Sequence, residues 1–309
     1  MSNDHHVVVA GVTNVETSVS VDGFPLEYVP ARYPRRGINT RVAGVGYNVA
    51  AGLRALGVPV SFATYVGDDS AGAVARARLE HLDLSGATSL KAPSTAQSVV
   101  LVDPSGRRSV HTDSKDLPDA VYPQEVFEKA MAGADLAVLT NIGFSRPLLG
   151  VARGKGVPIA CDIHAIADLE DAYNQDFMAA ATVLFCSHER LPTLPEVWAR
   201  QVLARYDSEL VVIGLGDQGC LVAERRGALT RVPAAAVGSV VNTAGGGDAL
   251  CAAFLDGWRR GQDPVHAARR AMIFAAAKIA AAPGTDGFLN RAELDERFSA
   301  TSRAAPPAS

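Results

Sequence analysis

Short runs of branched aliphatic residues alternate along this chain with stretches whose apolar positions recur every three or four residues. "HHVVVAGV", "VPVSFATYVG", "ADLAVLTN", "GVPIACDI", "ATVLFCS" and "SELVVIGLG" are runs of the first kind. Nearly continuous apolar character over so few residues predicts strands covered on both faces, as in a parallel sheet. "SAGAVARARLEHLDL", "RPLLGVARG" and "PEVWARQVLARY" have the helical period and fall between them. The alternation predicts an α/β fold: a doubly wound, mostly parallel sheet flanked by helices.

Two segments interrupt that rhythm. "NVETSVSVDGFPLEYVPARYP" with "GINTRVAG" is β-rich and has no helix after each strand. "AQSVVLVDPSGRRSVHTD" reads as a hairpin turning at Asp103-Pro104-Ser105-Gly106. We assign residues 13–44 and 96–112 to a small β-sheet lid, and residues 1–12, 45–95 and 113–309 to the α/β core. "MIFAAAKIAAA" reads as a buried helix whose segment is capped by Asp263, with Pro264 in its first turn. The tail "ATSRAAPPAS" has the composition of an unstructured end.

The 309 residues are enough for a substantial core, and the net charge of −4 offers no global basic field for nucleic acid or a membrane surface. No apolar run reaches membrane-spanning length, and "MSNDHHVVVAG" lacks the regions of a signal peptide. Cys161, Cys186, Cys220 and Cys251 are scattered without a CxxC pair, which predicts reduced thiols and a cytoplasmic location. Only five of the 29 basic residues are lysine.

The densest chemical signal is "VVNTAGGGDALCAAF", where Gly245, Gly246 and Gly247 precede Asp248. Leu250, Phe254 and Trp258 then share one helical face, and Gly261 ends the helix. The glycines are thus expected in a loop entering a helix N-terminus, where free N–H groups favour an anion and a phosphate can rest against bare backbone. A carboxylate beside a phosphate needs a task, and accepting a proton from an attacking hydroxyl is one. The bland alternative is a capped helix after a flexible turn. A second cluster, "RVAGVGYNVAAGLRALG", places Gly44 and Gly46 before another helix; Asn48 either caps it or binds a substrate hydroxyl.

Three rival motifs fail. "GLGDQG" is a literal GxGxxG, but "CLVAERRGALTRV" after it reads as strand, turn and strand, whereas a dinucleotide needs a helix there. "GVARGKG" has the wrong spacing for a P-loop. Cys161, His164, Cys186 and His188 match no standard zinc spacing, and both cysteines finish apolar runs.

Taken together, these motifs resemble the ribokinase-like (PfkB) carbohydrate kinases over nearly the whole chain. "AGVGYNVAAGLRALG" is similar to the family's N-terminal GGxGxNxAxxLxxLG pattern, and "VNTAGGGDALCAAF" to its C-terminal DTxGAGDxFxxGF pattern. "YVGDDSAG", the hairpin and "GLGDQGCLV" resemble lesser family motifs in the same order. The resemblance implies ATP-dependent transfer of a phosphoryl group to a hydroxymethyl group of a small molecule. It implies Asp248 as catalytic base, the backbone of Ala244, Gly245, Gly246 and Gly247 as anion hole, and Asn14, Glu16, Gly44, Val45 and Asn48 as acceptor-binding positions. It implies Gly216, Gly219, Thr243 and Glu189 near the nucleotide, with Glu189 and, indirectly, Asp162 near magnesium. A homodimer through the lid is compatible with it.

Several positions depart from the family. Asn242 stands where an aspartate is usual, which weakens the case for a monovalent cation beside the anion hole. Ala43 replaces a glycine, Val45 stands where lysine is common, and Cys186 takes the asparagine's place in an NxxE-like "CSHE". The missing lysine, and the charge of Glu16, point to an uncharged acceptor, a nucleoside or a free sugar, with a sugar phosphate as the alternative. Tyr47, Phe24 and Tyr28 are candidates for a stacking wall; Arg32, Arg35, Arg36 and Arg41 could instead bind an anion if they turn inward. The reading from another class is a catalytically idle regulator, against which stands the intact Asp248.

Overall fold

The computed structural model describes residues 6–236, 240, 243–281 and 287–304. In chain order the elements are β1 (His6–Ala10), β2 (Asn14–Ser20), β3 (Ile38–Ala43), α1 (Val45–Ala55), β4 (Val60–Gly67), α2 (Ser70–His81), β5 (Ser89–Ala92), β6 (Ala96–Val102) and β7 (Arg108–Asp113). There follow α3 (Gln124–Ala130), β8 (Ala134–Leu139), α4 (Leu148–Gly154), β9 (Ile159–Ala165), α5 (Gln175–Ala180), β10 (Val183–Ser187), α6 (Pro195–Arg205) and β11 (Leu210–Gly214). The chain then runs through β12 (Cys220–Glu224), β13 (Leu229–Val232), α7 (Gly246–Arg259), α8 (Pro264–Ala280) and α9 (Arg291–Ala304).

Nine strands form one sheet in the order β13-β12-β11-β10-β9-β8-β1-β4-β5. From β5 to β11 the neighbours are parallel, and only β12 and β13 run antiparallel at one edge. The continuous apolar runs have the physical role expected of them. Val7 and Val9 pack into one core layer, Val8 and Ala10 into the other. The pleat therefore presents each strand to helices on both faces.

A separate four-stranded sheet has the order β3-β2-β6-β7. Its inner rows bring Glu16 opposite both Arg41 and Ser98, and Asn14 opposite both Ala43 and Ala96. The first helix of the core begins two residues after β3, so this sheet leads straight into the start of α1.

Two local expectations change. Gly246 and Gly247 are already helical, and only Gly245 precedes α7 as its cap. The segment read as an unstructured tail continues α9 as far as Ala304; residues 305–309 lie outside the described ones.

Candidate active site

The start of α7 is set by one backbone angle. Gly245 has φ 81°, a left-handed conformation costly for any residue with a side chain, and from it the chain enters the helix. Past that point the sequence holds α7 by burial: Leu250, Cys251, Phe254 and Leu255 are all buried, and Phe254 meets Phe185 edge to face at 5.6 Å. The helix thereby points its first N–H groups outward from a fixed axis. A β-carbon on Gly247 would meet nothing within 4 Å, so the space over this turn is open.

Asp248, in that first turn, is buried, and its Oδ2 accepts a 2.7 Å hydrogen bond from Asn48 Nδ2. The sequence left Asn48 between helix cap and polar ligand. The structure makes it the partner of Asp248 across α1 and α7, and α1 itself has no side-chain cap. Burial, then the negative charge of Asp162, push the Asp248 carboxyl up to about 6, against His164, Asn48 and Lys278 acting the other way. A carboxylate held near that value is basic enough to take a hydroxyl proton and still ionised at neutral pH.

Asp162 stands at the middle of β9, buried, with the His164 N–H donating to its Oδ1 at 2.9 Å. His164 itself adopts φ 58°, an uncommon angle for a side-chain-bearing residue, beside the cluster its charge acts on. Among the described residues Asp162 makes no ion pair, so two buried carboxylates, Asp162 and Asp248, share this region. That donor set suits a hard cation or its water shell, and magnesium fits it on those grounds. Among the described residues no three histidine, cysteine, aspartate or glutamate side chains are grouped closely enough to hold a metal by themselves.

Toward the small sheet, Asn14 is buried, its Nδ2 donates to Ser98 Oγ at 2.9 Å, and its Oδ1 has no hydrogen-bond partner. An orphaned buried acceptor carries a cost unless something donates to it. Glu16 is held by Arg41, whose Nη2 and Nε lie 2.6 Å and 2.8 Å from Glu16 Oε1. Gly44, φ 106°, precedes α1 with Val12 O at 2.4 Å from where its β-carbon would stand. Gly46 packs directly on Gly11. Val45 opens α1 with no polar contact to offer.

On the other side, Gly216 and Gly219 make the turn between β11 and β12, both with positive φ. His188 reaches that turn: its Nδ1 is 2.9 Å from Gly214 O, and its Cε1 would be 3.6 Å from a β-carbon on Gly216. Glu189 follows in a single 3₁₀ turn after β10, its N–H donating to Ser187 Oγ. Thr243 and Ala244 form the turn before Gly245, with Gly246 N–H donating to Thr243 O. The doubt over a monovalent cation turned on Asn242, which lies outside the described residues.

One side chain falls elsewhere than expected. Tyr47 is buried in the core and accepts from Arg78 Nε at 3.1 Å, so it is no open stacking surface. Tyr28 is exposed. Of the arginines, Arg32 pairs with the exposed Asp22, whereas Arg41 pairs with the largely buried side chain of Glu16.

The residue missed by sequence reading is Lys278, near the end of α8. It is 7% exposed, and its Cε would lie 3.1 Å from a β-carbon on Gly245. Burial, then the positive charge of Arg41, bring its ammonium down to about 8, with Asp248 and Glu16 opposing and Arg78 adding to the fall. From Ala271 to Gly284 it is the one charged residue, and that isolation was the available signal.

Residues 4–287 match the sequence pattern of the pfkB family carbohydrate kinases, and the chain belongs to that family. It is an ATP-dependent phosphotransferase with an alcohol group as acceptor. The chain is similar to an ATP-dependent ribose-1-phosphate kinase of Halopiger xanaduensis, 31% identical over 91% of this chain and 93% of the relative. It is also similar to an acarbose 7(IV)-phosphotransferase of an Actinoplanes species, 29% identical over 95% and 98% respectively. Among solved structures, a microbiome-derived acarbose kinase superposes with a TM-score of 0.83 at 24% identity, covering 96% of this chain and 99% of the other. Among the described residues no helix is long and apolar enough to cross a membrane.

Proposed function

We propose that the cleft between α7, α1 and the small sheet transfers the γ-phosphoryl group of ATP to a hydroxymethyl group of a sugar or nucleoside. The observation that carries this reading is Asp248: a buried carboxylate in the first turn of a glycine-started helix, tied to Asn48 at 2.7 Å, with no atom within 4 Å of where a β-carbon on the neighbouring Gly247 would stand. The acceptor oxygen attacks the γ-phosphorus as its proton passes to Asp248. The new O–P bond forms while the bond to the bridging oxygen of ADP breaks. Asn48 holds one carboxylate oxygen and leaves the other to the incoming hydroxyl.

The backbone N–H groups of Ala244, Gly245 and Gly247 are the donors to the charge that spreads over the transferring phosphoryl oxygens, while the Gly246 N–H is held by Thr243 O. Gly216, Gly219, Thr243 and Glu189 form the nucleotide side. Magnesium, when bound, neutralises phosphate charge; Asp162 and Glu189 are the carboxylates to hold it, directly or through water. On the acceptor side, Asn14 Oδ1 accepts from a hydroxyl and Glu16, steadied by Arg41, accepts from others. The small sheet closes over the acceptor as a lid, and its outer face is the surface for a homodimer. The protein works in the cytoplasm on a small molecule, where its thiols stay reduced.

The two curated relatives differ in acceptor by name, one a ribose phosphate and the other acarbose. ATP consumption measured over paired free sugars, sugar phosphates and nucleosides tests the reading. ADP formation that depends on one of them supports it; ADP formation with none, in protein shown to bind ATP, overturns it.

A further inference from the structure

The chain crosses from the large sheet to the small one between β5 and β6, and one carboxylate holds that crossing. Asp69, in the "YVGDDSAG" stretch, caps α2 by accepting the Gly72 N–H on Oδ1 at 2.7 Å. The same side chain reaches Thr95, the residue before β6. Its Oδ2 accepts the Thr95 N–H at 2.8 Å and its Oδ1 accepts the Thr95 hydroxyl at 2.7 Å. The Thr95 hydroxyl in turn accepts the Gly67 N–H at 3.0 Å. A helix cap needs only the first of these bonds. Thr95 is 1% exposed, so the others are made out of water, where bonds to an ionised group are strong.

The junction has no slack. A side chain on Gly67 would run into the backbone of Ser94 and Thr95, and one on Gly72 into the backbone of Gly67. The other entry into the small sheet, from β1 to β2, is pinned to β4 as well: Thr13 Oγ1 lies 3.0 Å from Thr64 Oγ1, both residues fully buried. The small sheet is therefore referenced to β4 and the start of α2 at both points where the chain enters it. Beyond Thr95, strand register carries that reference toward the cleft. Ala96 lies opposite Asn14 and Ser98 opposite Glu16. Ser98 Oγ accepts from Asn14 Nδ2 at 2.9 Å, and that bond decides which way Asn14 presents its buried, unpartnered Oδ1.

We infer that Asp69 is a positioning residue for the acceptor: through Thr95 it fixes where β6 starts on the core, and through Ser98 the orientation of Asn14. The inference rests on the kinase reading above and deepens it, because it ties a residue outside the cleft to the affinity of one substrate and not the other. Asp69→Asn separates this role from helix capping. The amide oxygen still serves the Gly72 N–H, but the amide NH2 meets the Thr95 N–H donor to donor.

The test joins amide hydrogen exchange to steady-state kinetics on the full-length protein. In Asp69→Asn the amides of β2 and β6 should exchange at least about tenfold faster, the worth of a bond to a charged group, with β8 and β9 unchanged. The acceptor is whichever of ribose, ribose 1-phosphate, acarbose and inosine the unmodified protein phosphorylates. Its KM should rise by about tenfold, while KM for ATP and kcat stay within about threefold. Thr95→Val should repeat the pattern from the other side of the bond, and Thr95→Ser, which keeps the hydroxyl, should stay close to the unmodified protein. Unchanged exchange in β2 and β6, or equal acceleration in β8 and β9, would overturn the anchor. An equal rise in both KM values, or a fall in kcat alone, would overturn the acceptor role, since general damage gives those patterns. ADP formation with none of the four compounds would sink the kinase reading and the acceptor role with it, while exchange still decides whether Asp69 anchors the small sheet.

Discussion

The chain holds two glycine clusters that look alike in sequence, Gly44-Val45-Gly46 at the start of α1 and Gly245-Gly246-Gly247 before Asp248, and they are packed differently. At the first, the protein itself fills the space a side chain would take. A β-carbon on Gly46 would stand 2.5 Å from Gly11 Cα, and one on Gly44 would stand 2.4 Å from Val12 O. At the second, Gly247 faces emptiness and Gly246 meets only Ile279 Cγ2 at 3.0 Å. One cluster lets helix and strand backbones approach; in the other, Gly245 lies against the Lys278 and Asn48 side chains and only Gly247 has open space over it. Glycine in a sequence marks closeness of approach, and only the structure says whether the neighbour is protein or ligand.

The sharpest way to break this contrast is to put valine into each cluster. Gly46→Val should cost at least about 3 kcal/mol and lower Tm by roughly 6 °C or more, because backbone and not a flexible side chain occupies the site. Gly247→Val should melt close to the unmodified protein, yet lose about 100-fold or more in turnover if donors there stabilise the transferred group. Calorimetry beside steady-state kinetics reads both. A Gly247→Val protein with full activity would return this turn to an ordinary helix start.

A smaller effect concerns the bond that joins the clusters. Asn48→Ala removes a hydrogen bond that favours the ionised form of Asp248, so the carboxyl should titrate at higher pH. Turnover at pH 7 should fall by about tenfold, roughly the worth of one bond to a charged group. The ascending limb of the pH–rate curve should move upward; an unmoved limb would detach Asn48 from the base.

The smallest expected effect is the shape of that curve in the unmodified protein. The base works deprotonated, so kcat/KM should rise as pH passes through about 6. The groups facing Asp248 are Asp162 and His164 from β9, Asn48 from α1 and Lys278 from α8.

Much of this was legible in the sequence, and the reasons are specific. Buried parallel strands have no polar face, so Val7 to Ala10 or Leu210 to Gly214 announce themselves by length and composition. Asp248 is legible because a carboxylate after three glycines conflicts with the bland reading. Asn48 was half legible: its place at a helix start suited capping as well, and only the 2.7 Å contact to a residue 200 positions away decides between them. Lys278 was hidden by its company. It follows three alanines in a helix whose apolar pattern promised nothing but packing, and its proximity to Gly245 comes from α8 lying along α7. Glu16 was legible as a polar residue in the site, but its pairing with Arg41 is a cross-strand register fact, invisible until β2 and β3 are aligned. Tyr47 misled because a tyrosine beside a glycine motif suggests a ligand wall, whereas helix geometry turns it into the core.

The central claim is that Asp248 removes the proton from the acceptor hydroxyl. Turnover of Asp248→Asn, measured with an accepted substrate beside its affinity for ATP, tests it most directly. Turnover should fall at least about 100-fold, the usual worth of a positioned base, while ATP affinity stays within about twofold and the melting curve shows a folded protein. Near-normal turnover in that folded variant would contradict the account.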